Sequence, residues 1–122
     1  MEPTNSKLYH KEVFWPKGKF SALQGRTLPL RYAMHALRAA LNDRYGVIQL
    51  PKEFVFDEAR AFEMELSGQW VTKFAVRLPY NASHDLVLVV IPDGSEFFVK
   101  TVWLNSNSDA HKTLDRSKYA KA

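Results

Sequence analysis

The sequence predicts an α+β domain, and three observations carry that prediction. One amphipathic helical pattern lies near residue 30, about four strand patterns follow it in succession, and the loops between those strands are short. Short loops imply antiparallel neighbours, because a parallel pair needs a crossover of a dozen or more residues. The expected architecture is an N-terminal arm and one main helix packed on a roughly four-stranded antiparallel meander sheet. The arm takes residues 1–26, and residues 27–122 form a single α+β domain.

In the arm, Lys17-Gly18-Lys19 and Gln24-Gly25-Arg26 place glycines between basic side chains. Val13, Phe14, Trp15 and Phe20 are expected to fold back on the domain, since exposing all four is costly. The helix is expected from Pro29 to Tyr45, with Thr27 as N-cap, Pro29 in the first turn and Gly46 ending it. Leu30, Met34, Leu37, Leu41 and Tyr45 recur at spacings of four, three, four and four, which makes one apolar face. Arg31, His35, Arg38 and Asn42 form the opposite stripe.

Val47 to Leu50 reads as a connection or short strand. Asp57 to Leu66 has helical composition, yet Phe62, Met64 and Leu66 alternate with Glu63 and Glu65, so a strand is expected from about Ala61. Ser67-Gly68-Gln69 turns the chain into a second strand, Val71 to Leu78. Asn81 to His84 is a loop, and Leu86 to Ile91, apolar on both faces, reads as a central strand. Pro92-Asp93-Gly94-Ser95 is a turn in which Pro fixes φ and Gly accepts positive φ, and Phe97 to Leu104 is the last strand.

Composition narrows the chemistry. A chain of 122 residues fits one domain, and 46% hydrophobic residues are ample for a core. There is no cysteine, which excludes disulfides, thiolate catalysis and cysteine-ligated zinc and suits a reducing compartment. MEPTNSKLYHKEVFWP has no apolar core of a signal peptide, and the longest apolar run, Leu86 to Ile91, is too short to span a bilayer. A cytoplasmic protein with no membrane association is expected. The net charge of +4 and pI of 9.4 favour a polyanionic partner mildly.

No glycine-rich phosphate loop and no HExxH is present. Asp109-Ala110-His111 and His84-Asp85 lack a third partner at ligand spacing, so neither a metal nor a cofactor is expected. RNA cleavage without a metal needs a base, an acid and cations around the phosphate, and His, Lys and Arg suit those roles. The chain offers His35 between Arg31 and Arg38, then Lys100 and Thr101 on the last strand, then His111, Lys112, Thr113, Arg116 and Tyr119. Each has a plainer reading: an exposed helical histidine, an edge charge, a strand-favouring threonine, a solvated tail.

LPLRYAMHALRAALNDRYG, VTKFAVRLPY, DLVLVVIPDG and VKTVWLNSNSDAHKTLDRSKY together resemble a group of small phage and prophage proteins over residues 28–119. That resemblance implies a phage-encoded protein in a bacterial host cytoplasm and no particular activity. More distantly, a helix bearing HA and a last strand reading VKTVW resemble the barnase, EndoU, colicin and RelE superfamily of ribonuclease folds. This implies a metal-independent endoribonuclease with a helix on a four-stranded sheet, His35 and Thr101 as the carried-over pair, RNA as substrate and an antitoxin as a possible partner.

The expected function is therefore an endoribonuclease in which His35 and His111 exchange protons beside Thr101. Arg31, Arg38, Lys100, Lys112, Arg116 and Tyr119 would hold RNA. The alternative is a non-catalytic small phage protein that binds a host protein or nucleic acid. Its mark would be an exposed apolar patch, formed by Phe14, Trp15 and Phe20 of the arm, with scattered histidines.

Overall fold

Residues 27–32 follow a period of two, not of 3.6. Leu28 and Leu30 are buried while Thr27, Pro29 and Arg31 are exposed, the signature of a strand with one face on a core. The computed structural model describes residues 6–16, 18, 25–56, 60–68, 70–93, 96–106 and 115–121. Its elements are β1 (Ser6–His10), β2 (Thr27–Tyr32), α1 (Met34–Leu41), β3 (Glu53–Val55), β4 (Arg60–Ser67), β5 (Trp70–Pro79), β6 (His84–Asp93) and β7 (Glu96–Ser106). A turn of 3-10 helix, Arg116–Lys118, follows.

The strands form one seven-stranded sheet in the order β1-β4-β5-β6-β7-β2-β3. Every neighbouring pair is antiparallel except β2 and β7, which run parallel. The expected arm, main helix and four-stranded meander are thus corrected to a mixed, sheet-dominated fold with a single short helix. β1 and β2 come from segments expected to be arm and helix start, and β3 falls where no element was expected.

Pro29 explains part of the misreading. Proline suits the first turn of a helix, but here it sits in β2 opposite Glu53. Leu30 N–H donates to Lys52 O (2.8 Å), so by alternation the Pro29 nitrogen faces away from β3. Pairing with β7 starts only at Leu30, and the missing N–H therefore removes no ladder bond.

The helix begins immediately after β2, with Ala33 extended at the N-cap position and its N–H donating to Val99 O (2.9 Å) on β7. Ala36 and Ala40 are its buried residues, and their small side chains let the backbone lie close to β7. Gly46, at φ 111°, turns the chain after the helix, and Ile48 N–H then donates to Ala40 O (2.8 Å). Leu28, Phe74, Val76, Leu88 and Val99 supply the centre of the core beneath the helix.

A bulge at Lys100 sets which side chains of β7 face that core. Val99 pairs with Val90 and Thr101 with Val89, leaving Lys100 as the extra residue. Val99 and Val102 therefore both point into the core although three positions separate them, and Thr101 and Trp103 point to the opposite face.

That opposite face is buried in part as well. Arg77 and Asp85 lie there, with Arg77 Nε donating to Asp85 Oδ2 (3.2 Å) and Arg77 Nη2 to Ser106 O (3.0 Å). Arg60, paired with Arg77 across β4 and β5, reaches the same Asp85 oxygen at 3.3 Å. Residues 115–121 close the β1 edge, where Ala120 N–H donates to Leu8 O (2.8 Å).

Candidate functional site

The fold scatters the residues singled out from sequence. His35 and Arg38 are exposed on α1. Arg31 belongs to β2 and pairs with Phe98, on the face away from the helix; its guanidinium lies 5.8 Å above the Phe98 ring. Arg31 Nε is 3.1 Å from Glu96 Oε2, an ion pair without the alignment of a hydrogen bond. Thr101 also faces away from α1, so the sheet stands between it and His35. Lys100 is the exposed bulge residue. His111, Lys112, Thr113 and Leu114 lie outside the described residues.

Arg116 and Tyr119 do converge, on β1 and its turn. Arg116 Nη1 donates to Glu12 O (2.7 Å), and the buried Tyr119 hydroxyl donates to Glu63 Oε1 (2.6 Å). Burial, then the bond to Glu63, push the Tyr119 phenol well above its ordinary value. Its ring lies 5.0 Å from that of His10, which is 2% exposed and also meets Phe62. His10 Nδ1 accepts the Glu12 N–H (3.0 Å), which places the proton of the neutral ring on Nε2. Sequence reasoning missed His10 and Glu63, whose meeting depends on pairing β1 with β4 across more than 50 positions. Nothing local signals it.

Among the described residues, a second feature stands out on α1. At about 100° per residue, Ala36 and Ala40 define the buried side and Arg38 points directly away from it. Met34, Leu37 and Leu41 fall in an arc of about 60° along one flank. Met34 is 63% exposed, Leu37 41% and Leu41 64%, and the turn beyond adds Tyr45 at 44% and Val47 at 65%. The apolar face expected to meet the sheet is thus turned largely to solvent, and two alanines replace it in the core.

The rim of this stripe is cationic. Arg38 crowns the helix, and the Arg44 guanidinium lies 4.6 Å above the Tyr45 ring. The Tyr45 ring also meets His84, with ring centroids 4.3 Å apart. Asp43 is the nearby carboxylate, but Oδ1 accepts Leu104 N–H (3.2 Å) and Oδ2 accepts Tyr45 N–H (3.0 Å). Its charge is committed to holding the helix end on β7.

The stripe is apolar surface with a cationic rim. Among the described residues no cluster of three potential ligands could hold a metal, and no helix is long and apolar enough to cross a membrane. No family model, no curated protein and no solved structure matches the chain.

Proposed function

We propose that the protein is an interaction module that docks an acidic, apolar segment of a partner protein along the flank of α1. The observation that carries this reading is the exposed stripe of Met34, Leu37, Leu41, Tyr45 and Val47, edged by Arg38 and Arg44. Contiguous apolar surface with a polar rim is the mark of an interface. A helix laid alongside with apolar residues at i, i+3, i+4 and i+7 and carboxylates at its edge matches both parts. The resemblance to phage proteins makes a host protein the natural source of such a segment.

Two other occupants fit less well. A helix lying in a membrane surface presents its apolar arc outermost, whereas Arg38 is outermost here. RNA would meet the cations but gain little from Met34, Leu37, Leu41 and Val47, since stacking needs aromatic faces and Tyr45 already meets Arg44 and His84. For an endoribonuclease, the proton-transfer partner expected for His35 is His111, which lies outside the described residues, while Thr101 lies across the sheet from the helix.

The test compares a synthetic Glu/Leu amphipathic helical peptide, its Lys/Leu counterpart, anionic lipid vesicles and labelled RNA in EDTA. The Glu/Leu peptide is expected to bind, and the double variant Met34→Glu, Leu41→Glu to lose that binding by roughly tenfold or more, given the apolar area removed. Cleavage of RNA by the wild type, abolished in His35→Ala, would restore the ribonuclease reading. Binding to vesicles alone would replace the protein partner with a membrane.

A further inference from the structure

The two edges of the sheet differ in how they are finished. β1 is covered, because residues 115–121 run along it and Ala120 donates to Leu8 O. β3 stands at the other end of the strand order and, among the described residues, pairs only with β2. Lys52 O accepts from Leu30, and Phe56 N–H donates to Arg26 O (3.0 Å), so the polar backbone groups of 52, 54 and 56 turn toward β2. By alternation, the N–H and C=O groups of Glu53 and Val55 turn toward the open side.

Beside this edge lies a pocket of about 390 Å³, lined by Phe54, Val55, Leu78, Leu86, Pro51 and Pro79. The volume falls within the range of ligand-binding sites. Among the described residues, Thr27 and Glu53 are the only polar side chains in its lining. Glu53 is exposed, and no ion pair holds it among the described residues. An open backbone edge, an apolar pocket next to it and one uncommitted carboxylate occur together.

We infer that the edge of β3 accepts an extended peptide as an eighth strand, with an apolar side chain in the pocket and an adjacent Lys or Arg against Glu53. Main-chain bonds to Glu53 and Val55 supply affinity, and alternate side chains supply choice, as in other strand additions. The residue opposite Phe54 shares its face and enters the pocket, while the residue opposite Glu53 shares the carboxylate's side. The required pattern is thus a basic residue directly next to an aliphatic one. This surface is separate from the α1 stripe, and the inference does not depend on the reading proposed above.

The probe is the capped peptide acetyl-Thr-Lys-Leu-Val-Thr-amide, titrated into ¹⁵N-labelled protein, with Glu replacing Lys in the control peptide. Shifts are expected at residues 53–55 and around Leu78 and Leu86, with the Lys peptide bound roughly fivefold or more tightly than the control. Glu53→Lys should reverse the preference. Val55→Pro removes an outward N–H while sparing the bonds to β2, and should abolish binding; Met34→Glu should leave it unchanged. Equal affinity for both peptides, shifts confined to other surfaces, or unimpaired binding in a folded Val55→Pro variant would overturn the inference. So would sedimentation showing a dimer of this chain that Val55→Pro dissolves, for the edge would then be filled by a second copy. Should Val55→Pro fail to fold, the Glu53→Lys reversal decides alone.

Discussion

Asp85 is a buried carboxylate shared by two arginines of different standing. Arg77 is itself buried, whereas the Arg60 side chain is 69% exposed. Asp85→Ala leaves Arg77 without its carboxylate, and breaking such a pair costs about 3–5 kcal/mol. Arg60→Ala removes a largely solvated partner and should cost less than about 1 kcal/mol. Urea denaturation of the two variants checks this asymmetry. Two phenols set an alkaline limit: burial raises Tyr32, whose hydroxyl donates to Pro51 O, from 10.0 to about 12, and Tyr119 is raised further. In both, the fold favours the neutral form. The stability they contribute is complete below the unfolded value near pH 10 and is lost as pH rises through the folded values. The thermal midpoint should therefore fall above pH 10 in wild type and fall less in a Tyr32→Phe, Tyr119→Phe variant. Tyr119 entered the sequence reading as an RNA contact because it stands in a cluster with Lys112 and Arg116. Its burial is invisible without knowing that β1 lies beneath it.

At the scale of elements, α1 inverts the usual logic of an amphipathic helix. Enlarging its small residues should harm the fold more than charging its large ones. Ala40→Leu forces three extra carbons between helix and β7, an overpacking that costs about 1–3 kcal/mol, whereas Met34→Glu should stay within about 0.5 kcal/mol of wild type. Thermal or urea unfolding of the pair discriminates this from the conventional expectation. The helix was legible as an element, because Met34 to Leu41 is rich in good helix formers. Its start was not: Leu30 fits both the helical period and the alternation of β2. Its orientation was not either, because periodicity marks an apolar face without saying whether that face meets the core or a partner. The strands β4 to β7 were legible from alternation and turn residues, and β6 does stand in the middle of the sheet. The parallel union of β2 with β7 joins residues more than 60 positions apart and leaves no local trace.

For the molecule as a whole, the closing segment is a structural part of the sheet edge. Removing residues 115–122 deletes the buried Tyr119 ring, its bond to Glu63 and the backbone bond to Leu8. The expected loss is about 2–4 kcal/mol from apolar burial and hydrogen bonding together, with hydrogen exchange quickening first at β1. The candidate site was half visible from sequence. An exposed apolar patch was anticipated for a binding protein, but on Phe14, Trp15 and Phe20; Phe14 and Trp15 are only partly exposed, and Phe20 lies outside the described residues. The patch stands instead on the helix, because the alanines had already satisfied the sheet.

The covered β1 edge has a consequence for how the chain acquires its shape. A polypeptide is made from its N-terminal end, yet residues 6–10 pair with a strand that begins only at Arg60. Their cover arrives later still, with Tyr119 and Ala120. While β4 to β7 assemble by local hairpins, β1 waits for β4 to be made. A nascent chain halted before residue 119 would present the β1 edge to whatever passes.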